Sequence, residues 1–246
     1  MDSSLTQLSP PQKLRHLIRA GKYTAPTSGL APGYTQANLV IVPPQDLAYD
    51  FLLFAQRNPK SCPILEVSDC GSKKLHTFAQ DVDLAADFPR YRIYRNGKLA
   101  QEVTNVSAYW RDDLVSFLIG CSFSFEADLI AAGIEMRHIT EGGVNVPMYN
   151  TKIALQPAGR FSGNMVVSMR PLPAAQVVTA VKITASMPRV HGAPPFKSAI
   201  QQNLELLISL IRIMVMQSQL IQVKSLSFGH AELLRKTPSC ILNQRS

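Results

Sequence analysis

Apolar positions recur along the first part of the chain with two different periods. In residues 11–20, Leu14, Leu17 and Ile18 stand at helical spacing, and Gly21 supplies a stop. Residues 26–38, PTSGLAPGYTQAN, hold too much Pro, Gly and small polar residue for regular structure and read as an ordered loop. The run 39–42, ended by Pro43 and Pro44, predicts a buried strand. Helical spacing returns in 46–56 through Leu47, Phe51, Leu52, Phe54 and Ala55. Residues 64–67 predict a second short strand, and 90–95 a third that enters a tight turn at Asn96–Gly97 and returns over 98–103.

The second part is organised around residues 113–138. An apolar run, 114–119, is closed by Gly120, and then Cys121, Ser122, Ser124 and Glu126 arrive interleaved with Phe123 and Phe125, where a helix can begin and continue to Gly133. Residues 146–155 and 164–170 predict two strands, and 173–185 a helix with Val177, Val178 and Val181 along one side. Short apolar strands alternating with helices predict an α/β layer arrangement, and the two strands followed by a helix a compact α+β unit.

Composition narrows the class. At 246 residues, with 46% hydrophobic and 17% charged residues, the chain is globular and long enough for one large domain or two small ones. The four cysteines form no CxxC pair and no apolar signal stretch opens the chain, so a reducing cytoplasm is expected and a disulfide framework is not. The net charge of +8 does not point to nucleic acid, because half of it lies beyond Pro195 and no stripe of basic and aromatic residues accompanies it. Residues 204–216 are apolar, but Glu205 and Arg212 interrupt them and the run falls short of the roughly 20 residues a membrane span needs.

Seven segments in order, 26–39, 54–63 (FAQRNPKSCP), 91–94 (YRIY), 117–126 (FLIGCSFSFE), 146–149 (VPMY), 167–171 (VSMRP) and 191–194 (HGAP), resemble the YcsI-like hydro-lyases, classed with the D-glutamate cyclase family. The resemblance implies a cytoplasmic carbon–oxygen lyase, with dehydration of D-glutamate to 5-oxo-D-proline as the nearest named chemistry. It also implies a three-layer α/β sandwich with a smaller inserted two-layer α+β subdomain. Residues 1–124 would form the main domain and 125–194 the subdomain.

Beyond about Pro194 the resemblance stops. Codons that fit residues 225–238 also spell, in a neighbouring frame, the family ending VPVFWACGVTPQ, and codons for 203–215 a stretch like EFGITDLAHPDYG. The segment 195–246 therefore reads as translated out of frame, and its packing is expected to be unlike that of a selected core.

Candidate chemistry centres on the 117–126 segment. Glu126, among apolar neighbours, suits a general acid or base if burial raises its pKa; a carboxylate stabilising a helix start by roughly 0.3–1 kcal/mol is the plainer role. Cys121 would be a nucleophile if a helix N-terminus lowered its pKa, or else a small buried hydrophobe. Ser122 and Ser124 can meet a ligand or cap the helix. The 27–38 loop offers Ser28, Tyr34, Gln36 and Asn38 to an anion, unless it is a structural turn.

A substrate carboxylate calls for an Arg fork. Arg57, Arg137 and Arg170, in the resembling part of the chain, are the candidates, with surface or inter-subdomain ion pairs as the alternative. His138 and His191 can shuttle protons near neutral pH, and His191 can contact substrate, with a structural role as the plainer reading of each. Backbone N–H groups near Ser28–Gly29 or Cys121–Ser122 would serve an oxyanion. No HxxxH or CxxC spacing supports a metal, and no cofactor is expected. The expected partner is a small carboxylate substrate, with no nucleic acid or membrane; homo-oligomerisation is left open. A protein that binds a small acid without converting it, and an inactive frameshift product, stand as alternative readings.

Overall fold

The computed structural model describes residues 8–194 except 28–29, 43–44, 80, 96–97 and 142–145, together with the backbone of 213–219 and 227–228. Among the described residues five helices, α1 (Pro10–Arg19), α2 (Gln45–Arg57), α3 (Glu126–Ala131), α4 (Arg137–Thr140) and α5 (Val177–Ala185), accompany nine strands. The strands are β1 (Ala37–Val42), β2 (Ile64–Val67), β3 (Tyr91–Arg95), β4 (Lys98–Val103), β5 (Val115–Gly120), β6 (Met148–Ala154), β7 (Asn164–Leu172), β8 (Ile213–Gln219) and β9 (Ser227–Phe228). The predicted Asn96–Gly97 turn lies outside the described residues.

Six strands form one sheet in the order β2-β5-β1-β9-β3-β4, and three form another in the order β6-β7-β8. Neighbours in both sheets run antiparallel. β1 and β5 pair over their whole lengths, from Ala37 opposite Gly120 to Val42 opposite Val115. Because side chains alternate across a strand, β1 sends Val40 and Val42 to one face and Leu39 and Ile41 to the other. Both faces are apolar, which is why this strand reads as an unbroken hydrophobic run.

On the first face, Leu47, Phe51, Phe54 and Ala55 of α2 pack against Val40, Phe117 and Ile119. The Phe51 and Phe117 rings meet edge-on at 4.7 Å between centroids, a geometry aromatic quadrupoles favour. The second face is covered by Leu84, Ala85 and Val106, from irregular chain between strands and after β4. The mixed α/β class is as expected, but irregular chain rather than a helical layer supplies this cover. α1 is tied to it by Arg19, whose Nη2 donates to Asp87 Oδ2 at 2.7 Å while Nε donates to Oδ1.

A further apolar cluster gathers Phe125, Leu129, Ile134, Met136, Leu172, Ala180 and Val190. α5 buries Ala180 and Thr184, whereas Val178 is exposed; the inward face is thus rotated from the valine side that the sequence suggests. No helix among the described residues is long and apolar enough to cross a membrane. Part of the 204–216 run forms β8, paired along β7 from Val166–Gln219 to Leu172–Ile213; the rest lies outside the described residues.

Candidate active site

The end of β5 fixes the site. Gly120 lies beneath the Arg189 carbonyl, where a Cβ would collide with that oxygen, so the turn Pro188–Val190 can settle directly on the strand end. The backbone N–H of Cys121 then donates to Gln36 O at 2.9 Å, tying the strand end to the loop that enters β1. Ser124 completes the tie: its Oγ accepts from Gln36 N at 2.8 Å and donates to Cys121 O at 2.8 Å. Ser124 therefore holds the loop and the helix start together. The predicted use of the Cys121 N–H as an oxyanion donor does not fit, since Gln36 O already takes it.

A 3-10 turn, Ser122–Phe125, leads into α3 and turns Glu126 inward. Glu126 is fully buried, and the residue facing it is Arg170 of β7, which is 2% exposed. Arg170 Nε donates to Glu126 Oε1 at 3.0 Å, and Nη2 donates to the same oxygen. Nη1 donates to Ser168 Oγ at 3.1 Å and Nη2 reaches Ser122 Oγ at 3.3 Å. The guanidinium also stands 5.0 Å from the centroid of the Phe125 ring, within cation–π range. His138 on α4 brings Nε2 to 3.1 Å from Glu126 Oε1, off the line of a hydrogen bond.

Four of the predicted residues, Ser122, Glu126, His138 and Arg170, thus form one enclosed polar cluster, although they are spread over 48 positions of sequence. Ser168 belongs to it and was missed. Its signal was present: Val166, Ser168, Arg170 and Leu172 share one strand face, and all four are buried, so a Ser and an Arg interrupt an apolar face at period two.

Cys121 and His191 are buried beside the cluster, and the pull of its charges is felt at both. Burial pushes the Cys121 thiol up to about 11, with the Glu126 charge adding to the rise and Phe123 N–H, Arg170 and Asn38 opposing it. The nucleophile role predicted for Cys121 needs a lowered pKa, and the buried environment works against it. The His191 imidazole is pushed down to about 4, first by burial and also by the Arg170 and Lys60 charges, against hydrogen bonds to the Lys60 and Gly120 backbone. Its Nδ1 lies 2.9 Å from Lys60 O, which fixes the neutral ring with the proton on Nδ1.

The loop residues line several openings. A cleft of about 340 Å³ is lined by Tyr34, Ser124, Asp128 and Arg189. A smaller cavity of about 40 Å³ brings Gln36, Asn38 and Cys121 together with Thr27, Arg90 and Phe123. Thr27 Oγ1 donates to Gln36 Oε1 at 3.0 Å and bridges the loop's two ends. Ser28 and Gly29 lie outside the described residues.

The other two arginines are elsewhere. Arg57 donates to Pro157 O from the end of α2, and Arg137 pairs with Glu141 one helical turn away, its Nε donating to Oε1 at 2.7 Å. Each has its own partner, a distant carbonyl for Arg57 and a helical neighbour for Arg137, and neither reaches the Glu126 cluster. Arg90, which lines the smaller cavity, was not singled out by the sequence. Among the described residues, no three His, Cys, Asp or Glu side chains gather as a metal site would require.

Comparison with known proteins places this arrangement. Residues 115–205, which include the whole Ser122–Glu126–Arg170 cluster, match the model of the D-glutamate cyclase family. A protein of Clostridium beijerinckii named "Putative hydro-lyase" is 60% identical over 184 residues, 75% of this chain and 70% of its own length. A protein of the same name from Stutzerimonas stutzeri is 61% identical over 75% of this chain and 69% of its own. One from Bacillus velezensis is 55% identical over 194 residues, 79% of this chain and 72% of its own. With this identity, carried over most of both sequences and through the buried polar cluster, the chain belongs to the D-glutamate cyclase family.

Proposed function

We propose that the chain is a carbon–oxygen lyase that dehydrates a small carboxylic or amino acid, with conversion of D-glutamate to 5-oxo-D-proline as the reaction of first choice. The observation that carries this reading is the enclosed Glu126 carboxylate, in contact with both Arg170 and His138. A carboxylate held between a fixed cation and an imidazole can take and return a proton without moving.

In the cyclisation, the amine nitrogen bonds to the side-chain carboxyl carbon, and the tetrahedral intermediate carries negative charge on oxygen. Two protons leave the ammonium nitrogen and both end on the departing oxygen, so the C–O bond breaks with release of water. Glu126 relays these protons, and His138 holds the proton between transfers. The positive charge of Arg170 stabilises the oxyanion, in a site where enclosure strengthens electrostatic stabilisation. Cys121 stays a protonated thiol and shapes the wall. Incubation of the purified chain with D-glutamate, followed by chiral product analysis, tests the reading. Formation of 5-oxo-D-proline supports it; saturable binding with no dehydrated product favours the binding protein instead.

A second reading, the frameshift product, is favoured by a different observation. The place between β1 and β3, in the middle of the larger sheet, is held among the described residues by Ser227 and Phe228 alone, which meet Leu39, Val40 and Arg92. β1 has six residues and β3 five to offer there. A strand such as VPVFWACG, spelled by the neighbouring frame, would use the full edge of both. Sequencing the coding DNA around the Pro194 codon decides this: a displaced family frame downstream supports the reading, and its absence refutes it.

A further inference from the structure

We propose that Arg90 anchors the substrate carboxylate, at the mouth of the small cavity that ends on Cys121. This inference rests on the reading of the chain as acting on a small acid. Such an acid needs a cation, and Arg57, Arg137 and Arg170 are each held by Pro157, Glu141 or Glu126. Arg90 is placed differently. Its side chain is 46% exposed, and its ion pair is with Glu102, at 4.0 Å from Nη1. Glu102 already accepts from Arg92 Nε at 2.7 Å, so one carboxylate faces two guanidinium groups and the pair of arginines carries an excess positive charge.

The cavity supplies the remaining recognition. Thr27, Gln36 and Asn38 place a hydroxyl and two amides around a space of about 40 Å³. A single water needs at least about 10–15 Å³ of such volume, so this space suits a carboxylate group rather than a whole amino acid. The carbon chain has room next door. An adjoining, mainly apolar cleft of about 150 Å³ shares Thr27, Gln36, Ala37, Phe88 and Pro89 with the cavity. Carboxylate in the cavity and chain in the cleft would set the substrate across the Thr27–Gln36 bridge, with Cys121 at the inner wall.

The test is calorimetric titration of the full chain with D-glutamate, 5-oxo-D-proline and 2-pyrrolidinone, which is 5-oxoproline without its carboxylate. The wild type is expected to bind both acids at least tenfold more tightly than 2-pyrrolidinone. Arg90→Met should abolish that preference, Arg90→Lys should restore part of it, and Arg95→Met, an exposed change at the far end of the adjoining strand β3, should leave it intact. Matching thermal transitions show that the variants fold. The proposal is overturned if Arg90→Met binds both acids within twofold of wild type, or if the wild type shows no preference or no saturable binding. Arg90-dependent binding without dehydration would leave the anchor standing and remove the lyase reading. Turnover with an unchanged KM in Arg90→Met would do the reverse.

Discussion

Replacing Arg170 by Met isolates the energetics on which the site depends. The change deletes four hydrogen bonds, to Glu126 twice and to Ser122 and Ser168 once each. It leaves Glu126, 0% exposed, buried without its cation. Breaking a buried pair by removing one partner costs about 3–5 kcal/mol, which is a large share of the roughly 5–15 kcal/mol that holds a domain together. With a urea dependence of about 2 kcal/mol per M, the midpoint should fall by about 2 M. Removing both charges should recover most of the loss, since apolar side chains of similar volume replace buried pairs at little cost. Urea titrations of Arg170→Met, Glu126→Leu and the double variant, monitored by circular dichroism, give the cycle. A loss below about 1 kcal/mol in Arg170→Met, or a double variant worse than both singles, would refute the buried-pair account.

Further predictions concern the buried neighbours of the pair. His191, at about 4 in the folded chain and about 6.5 when unfolded, binds its proton more readily in the unfolded state. Its contribution is therefore complete above about pH 6.5 and is lost as pH falls toward 4, up to about 3 kcal/mol. His191→Asn keeps a side chain that tolerates the left-handed φ of 84° at this position, and should flatten the stability profile between pH 6.5 and 4; an unchanged slope would assign the acid sensitivity to other groups. Cys121→Ala should keep turnover within about tenfold, because a thiol pushed up to about 11 is protonated at neutral pH; a loss beyond a thousandfold would restore the nucleophile. Restoring the displaced frame after Pro194 should raise the midpoint of thermal unfolding, and an equal or lower midpoint would show that the tail completes the sheet as encoded.

How much of this was legible in sequence differs by element. β1 and β5 stand out because both of their faces are covered, which leaves them mostly apolar, with Asn38 and Ser116 as the exceptions. α2 shows because it buries Phe51 and Phe54 on one stripe. The cover on the second face was not legible, since irregular chain packs through scattered residues such as Leu84 and Val106 that carry no period. α5 misled for a related reason: Val177, Val178 and Val181 look like a core stripe, but Ala180 and Thr184 are small enough to approach the neighbouring strand and helix, so they are the residues buried.

The site was legible in its members and not in its geometry. Glu126, Ser122 and Cys121 drew attention as polar groups set among aromatics, and Arg170 through a family segment. That Arg170 closes on Glu126, 44 residues away, follows only once β7 lies against the start of α3. Arg90 was hidden because a basic residue beside a strand ordinarily faces solvent. Its place at a cavity depends on the Thr27–Asn38 loop folding over the same edge.

The central claim is that Glu126 carries the protons in a dehydration. The most direct measurement is single-turnover formation of 5-oxo-D-proline from D-glutamate by the wild type and by Glu126→Gln, which keeps the side chain's size and removes its charge. General acid–base groups contribute about 10²–10⁴-fold, so the account predicts product from the wild type and at least a hundredfold slower formation by the variant at similar binding affinity. Equal rates from the two proteins would contradict it.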